Sequence, residues 1–215
     1  MDAHLYARYQ SPEGARDYRH KYEQSLARRW SNRRELSMVR RALARAGAQG
    51  RLLDCPCGAG RLGPVLLERA TSLVAADLSP TMVAEAREVL AGPAAAGIVE
   101  FHVASADALP FPARHFDTVV CHRLLHHLER PDRLRVLGEL ARVATRRVVL
   151  SFSDASTLKA RFQRLRGVRR RRSVLTPAQL AEEAGEAGLV LEGPPLRLAS
   201  LFSTVAVAVL RAPGA

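Results

Sequence analysis

The chain has 215 residues, 47% of them hydrophobic, which is enough to bury one full core with an appendage. Its three cysteines, all between Cys55 and Cys121, cannot staple a secreted scaffold, and the chain start carries no apolar leader. The formal net charge of +12 is uneven: residues 1–47 net +6, residues 159–172 net +8 and the rest −2. Nearly all of this basicity is arginine, a bias that a GC-rich genome produces without any functional cause.

Residues 15–46 are charged and helical in pattern, with Leu26, Trp30, Leu36, Val39 and Leu43 at three-to-four spacing, and Gly47 and Gly50 end the run. Strand and helix patterns then alternate. Residues 51–54 read as a strand, 61–70 as a helix, and 72–77 as a second strand. Residues 80–90 read as a helix with Ser79 as N-cap and Pro80 at its first position. Strands follow at 98–103 and 116–121, then helical residues to 144. The strand at 147–153 is continuously apolar, as a strand buried on both faces should be. After the Arg-rich stretch 159–172, Thr176-Pro177 opens a last helix over 178–187. Strands at 190–192 and 201–210 close the chain, with Gly193-Pro194-Pro195 as the turn between them. Residues 199–210, the longest apolar run, are too short to span a bilayer, so a soluble, cytoplasmic protein is expected.

This alternation predicts an α/β fold: a Rossmann-like, seven-stranded, mostly parallel sheet with an antiparallel C-terminal edge hairpin. An N-terminal helical cap is expected over 1–46 and a main domain over 47–212, with 159–172 as a basic insertion.

The stretch LLDCPCGAGRL, residues 52–62, admits four readings. A structural metal site wants four Cys or His ligands, and one CxC pair with a distant Cys121 does not supply them, so no metal is expected. A cytosine-methylating "PC" nucleophile loop would follow a separate donor loop, and none precedes this one. Gly58, Gly60 and Gly63 satisfy GxGxxG with Asp77 nineteen residues past Gly58, the dinucleotide fingerprint. Yet Asp54 ends the strand four residues before the first glycine, and a carboxylate there suits a ligand with an amino group or positive charge, which pyrophosphate lacks.

Three stretches in order, LLDCPCGAGRL, VAADLSPTMV and ASADALPFPARHFDTVVCHRLLHHL, resemble the class I S-adenosylmethionine (SAM)-dependent methyltransferases, nearest the branch with the ubiquinone and menaquinone C-methyltransferases. The resemblance implies SAM as cofactor. It implies that Asp54 lies near the methionine amino group, and that Gly58, Ala59 and Gly60 let the backbone approach the donor. Asp77 would accept both ribose hydroxyls, and Leu78 and Met82 would pack on the adenine. Ser105 and Ala106 stand where the family contacts the adenine. Ser105 replaces its usual Asp, with Asp107 as the substitute next door, and Pro56 replaces a usual glycine.

Methyl transfer from a sulfonium needs alignment first and a base only if the acceptor carries a proton that must leave. His122 and His126 are candidate bases, spaced as one helical turn with His127 facing elsewhere; His122 is also a donor-site candidate. A capping or packing role for them is the alternative. Tyr6, Tyr9, Tyr18 and Tyr22 would fold over the pocket by resemblance. The charge pattern suggests a small-molecule or lipid-like acceptor of anionic character, with Arg169 to Arg172 beside it. Nucleic acid is the competing partner for the same arginines and tyrosines.

Overall fold

The computed structural model describes residues 11–21, 24–165, 173–198 and 203–215. Tyr6, Tyr9 and Tyr22, and the arginines 169–172, lie outside the described residues. The expected N-terminal helix is two helices, α1 (Pro12–His20) and α2 (Leu26–Arg45). Ser25 breaks it by taking an extended conformation and accepting from the backbone N–H of Arg28 at 3.2 Å, a cap that competes with helix continuation.

The remaining elements run β1 (Gly50–Asp54), α3 (Gly63–Leu67), β2 (Ala70–Asp77), α4 (Pro80–Val89), α5 (Ala91–Ala95), β3 (Val99–Val103) and β4 (Phe116–Cys121). They continue with α6 (Arg130–Val143), β5 (Ala144–Ser153), α7 (Leu158–Leu165), α8 (Pro177–Glu186), β6 (Val190–Leu191), β7 (Leu196–Arg197) and β8 (Val205–Arg211). Ser79 and Thr176 cap α4 and α8 as expected, Thr176 in a reciprocal capping box with Gln179.

The sheet order is β3-β2-β1-β4-β5-β8-β6, with β7 also on β8. The first five strands are parallel and β8 is antiparallel to β5. Successive strand residues serve opposite faces, as the pleat requires. Leu53, Val74, Val119, Val148 and Leu210 face the core under α6 and α8, while Leu52, Leu73, Val120, Val149 and Val209 face the one under α2, α3 and α4. Met38, Val39, Ala42 and Leu43 bury one side of α2 in that second core.

Among the described residues eight strands form where seven were expected. The C-terminal edge strand is split into β6 and β7, which pair successive parts of β8 in the same antiparallel sense. Gly193-Pro194-Pro195 is therefore an interruption in the edge strand and not the hairpin turn. Two prolines cannot donate to the ladder, and Arg45 takes up the carbonyls of Pro194 (2.8 Å) and Glu192 instead. No described helix is long and apolar enough to cross a membrane.

Candidate active site

The strand order reverses at β1, with β2 on one side and β4 on the other, and such a switch point opens a crevice at the carboxyl ends of the strands. The loop after β1 is tied across it: Cys55 N donates to the Val120 carbonyl at 2.9 Å and Cys57 N to the Ala76 carbonyl at 2.8 Å. A cavity of about 310 Å³ lies there, at the small end of ligand-site sizes.

Asp77, at the end of β2, holds both adjoining turns. Its Oδ2 accepts from Gly58 N and its Oδ1 from Ser79 N, each at 2.9 Å. Burial raises its pKa, opposed by those backbone donors. Gly58 has φ +52, a conformation glycine adopts without strain. Gly58, Asp77, Leu78, Met82, Ser105, Ala106 and His122 all line the cavity, and so does His126.

Asp54, Ala59 and Gly60 are not on the cavity wall. Ala59 packs with Ala15 of α1 and Met82. Gly60 serves helix packing, since a Cβ there would lie 3.0 Å from the Ala86 Cα on α4. Asp54 is buried below the loop, and its Oδ1 has no hydrogen-bond partner among the described residues. Burial pushes its pKa up to about 8, against the pull of Arg61.

The third wall is the loop after β3. Ser105 Oγ donates to Asp107, and Asp107 also lines the cavity. The loop is held from α6, where Glu139 accepts from Leu109 N at 2.7 Å and Arg142 donates to the carbonyls of Leu109 (2.9 Å) and Phe111 (2.7 Å).

The histidine segment differs from expectation. Arg123 has φ +62, so the chain turns sharply after His122, and only Leu125–His127 form a short 3₁₀ turn. His122 and His126 therefore reach one cavity from different turns and do not share a helix face. His127 lines it too, with its ring centroid 4.1 Å from that of His126.

Behind this wall lies a charged cluster centred on Glu35 of α2, a residue the sequence reading passed over. Glu35 is 2% exposed. Its Oε1 meets His122 Nε2 at 2.5 Å, Arg123 Nε at 2.8 Å and Arg61 Nη2 at 3.2 Å, while its Oε2 meets Arg123 Nη2 at 2.6 Å. Burial alone would raise the Glu35 pKa, but hydrogen bonds from Arg123 and His122 and the charge of Arg61 hold it well below the usual carboxylate range. Burial lowers that of His122 to about 4, against the hydrogen bond it donates to Glu35. A signal was present: Glu35 stands three, four and seven residues before Met38, Val39 and Ala42, on the buried stripe of α2.

Three buried thiols complete the interior. Burial raises Cys55, Cys57 and Cys121 well above the ordinary thiol range, the opposite of a nucleophile's environment.

Residues 52–147 match the family described as "Methyltransferase domain". That stretch is similar in sequence to methyltransferase domains, and the chain has the Rossmann-like methyltransferase fold. The chain is 32% identical over 126 residues to a ubiquinone/menaquinone biosynthesis C-methyltransferase of Azotobacter vinelandii, covering 57% of this chain and 47% of that protein. It thus spans about half the length of the curated relatives it matches. Among solved structures it is similar to magnesium protoporphyrin IX methyltransferase from Synechocystis with bound S-adenosylhomocysteine (SAH), at TM-score 0.79 and 19% identity over 98% of this chain and all of that one. An O-methyltransferase from neocarzinostatin biosynthesis, in complex with SAH and 1,4-dihydroxy-2-naphthoic acid, aligns at TM-score 0.61 and 21% identity, over 78% of this chain and 50% of that one. Asn32, Glu35 and Lys21 of the cavity region fall outside the residues that match the methyltransferase domain.

Proposed function

We propose that the protein transfers a methyl group from SAM to a small-molecule or lipid-like acceptor. The observation that carries this reading is a cavity at the switch point, lined by Gly58 and Asp77, with the buried Oδ1 of Asp54, which has no hydrogen-bond partner among the described residues, beneath its glycine loop. Burial raises the pKa of that carboxyl, a cost that a cationic ligand amino group reaching it beneath the loop would offset. Asp77 keeps lone pairs beyond its two backbone bonds for ribose hydroxyls, and Gly58 presents bare backbone. Leu78 and Met82 supply apolar surface for an adenine, with Ser105, Ala106 and Asp107 opposite.

When bound, SAM supplies an already activated methyl on a positively charged sulfur. The chain's residues then have to align the acceptor with it and exclude water, and alignment is worth about 7–11 kcal/mol in well-oriented systems. His122 is neutral across physiological pH, so it can accept a hydrogen bond or a proton at the acceptor side, and His126 lines the same cavity.

The cavity itself is close to charge balance. Lys21, Arg61, Arg123 and Arg135 face Asp77, Asp107 and Asp132, with Glu35 behind. Residues 159–172 alone net +8, much of the charge of the chain. That balance supports a small acceptor held by shape and hydrogen bonding, and Arg169 to Arg172 are the residues proposed to read its anionic character. RNA is the weaker reading, because no basic track lines the cavity among the described residues.

Titration calorimetry tests the donor. SAM should bind the wild-type protein, and Asp77→Ala should weaken it at least tenfold, about 1.4 kcal/mol. Equal affinity in the variant, or tighter binding of NADH than of SAM, would overturn the reading.

A further inference from the structure

We infer that Glu35 is a positioning residue for His122: it accepts the Nε2 proton and so fixes the tautomer that leaves Nδ1 as the ring's acceptor at the cavity. The inference rests on the methyl-transfer reading for its purpose, and on geometry for its substance.

His122 Nε2 lies 2.5 Å from Glu35 Oε1 with both side chains buried, so one of the two atoms must carry a proton. The neighbours decide which. Arg123 engages both carboxylate oxygens of Glu35 through Nε and Nη2, and Arg61 donates to Oε1 from the loop after β1. Two guanidiniums on one carboxylate keep it ionised. An ionised carboxylate only accepts, so the proton is on Nε2. The imidazole is then neutral with its lone pair on Nδ1, because the guanidiniums and burial disfavour a second charge on the ring.

The same carboxylate fixes the segment that carries the histidine. Arg123 is a non-glycine residue at φ +62, a conformation held only when its surroundings determine it. They do so here from both ends: Arg123 N donates to Ser151 Oγ at 2.7 Å and its guanidinium is clasped by Glu35. Arg61 is anchored as well by Asn32, one helical turn before Glu35, at 2.6 Å. Thus α2 joins the loop after β1, on the donor side, to the turn after β4, on the acceptor side. Neither Asn32 nor Glu35 belongs to the residues that match the methyltransferase domain.

The test is the ¹⁵N spectrum of the histidine rings in the full chain, with His122 assigned by its loss in His122→Asn. The wild-type protein at pH 7 should show His122 protonated on Nε2 alone. Glu35→Gln should show a mixture of tautomers, because the amide can present either its oxygen or its NH₂ group to the ring. Glu35→Asp, which restores a carboxylate, should return the Nε2 form. Affinity for SAH, read by calorimetry on the same samples, should stay within about threefold in Glu35→Gln. A wild-type His122 that is Nδ1-protonated or doubly protonated overturns the inference, and this measurement stands even if no variant folds. An unchanged tautomer in Glu35→Gln, with or without loss of SAH affinity, also overturns it and leaves Glu35 as scaffold. Failure of the wild-type protein to bind SAH would instead remove the methyl-transfer reading and leave the tautomer result intact.

Discussion

Asp54→Asn isolates the one buried carboxylate whose Oδ1 lacks a partner among the described residues. Burial places the folded-state pKa of Asp54 at about 8, against 3.8 for the free side chain. Between those values the folded protein holds a proton that the unfolded chain has released, so this group makes stability fall as pH rises. The slope for one proton is about 1.4 kcal/mol per pH unit. From pH 5 to pH 7 the wild-type protein should therefore lose about 2–3 kcal/mol through Asp54 alone. Asparagine has no proton to exchange, and the other titrating groups are common to both proteins. Asp77, also raised by burial, contributes a slope of the same sign in each. His122, whose pKa is lowered, contributes one of opposite sign in each below the ordinary imidazole range. Urea unfolding of both proteins at pH 5, 6 and 7 reads the difference: the stability of Asp54→Asn minus that of wild type should climb by about 2–3 kcal/mol over the window. Parallel curves would refute the reasoning. The same ionisation should appear in donor binding, where SAM at pH 7 releases up to about one proton from the wild-type protein and none from Asp54→Asn. Calorimetry in two buffers of different ionisation enthalpy measures it.

Gly60→Ala should destabilise the protein by about 1–3 kcal/mol, because the position needs φ +75 and the new Cβ would press on the α4 backbone at Ala86. Urea melts check this, and a loss below about 0.5 kcal/mol would show that the loop relaxes without cost. Changing Cys55 and Cys57 together to Ala should leave methyl transfer within about an order of magnitude, since neither buried thiol forms a thiolate. Stoichiometric zinc in the wild-type protein, or a trapped protein–substrate adduct, would contradict it.

Four of the five parallel strands were legible because their inner residues are buried on both faces and read as short apolar runs, while β3, at the sheet edge, reads by alternation of Val99, Phe101 and Val103 with Glu100 and His102. The caps at Ser79 and Thr176 were legible because the oxygen that satisfies the helix start lies within three residues of it. What failed to show was non-local. Glu35 meets His122 across 87 positions, and no local period couples them. The turn at Arg123 was misread as helix because left-handed arginine has no sequence signature; its conformation is imposed by Ser151 and Glu35. The second half of the edge strand, β7, was missed because Gly193-Pro194-Pro195 has the composition of a turn, and the distant guanidinium of Arg45 takes up the Glu192 and Pro194 carbonyls as the chain continues along β8. Of the donor-site candidates, Gly60 has a packing reason for its small size that the sequence did not show, the approach of the Ala86 backbone on α4.

The clasp at Glu35 also constrains how the sequence can drift. Exchanging Glu35 for a neutral residue would leave Arg61 and Arg123 facing each other near a wall where water is scarce, a like-charge contact that one further substitution at either arginine would relieve. Positions 35, 61 and 123 should therefore change together or not at all among descendants of this chain, although they lie in three separate segments. An inheritance unit drawn around residues 52–147 would include two members of that trio and omit the third.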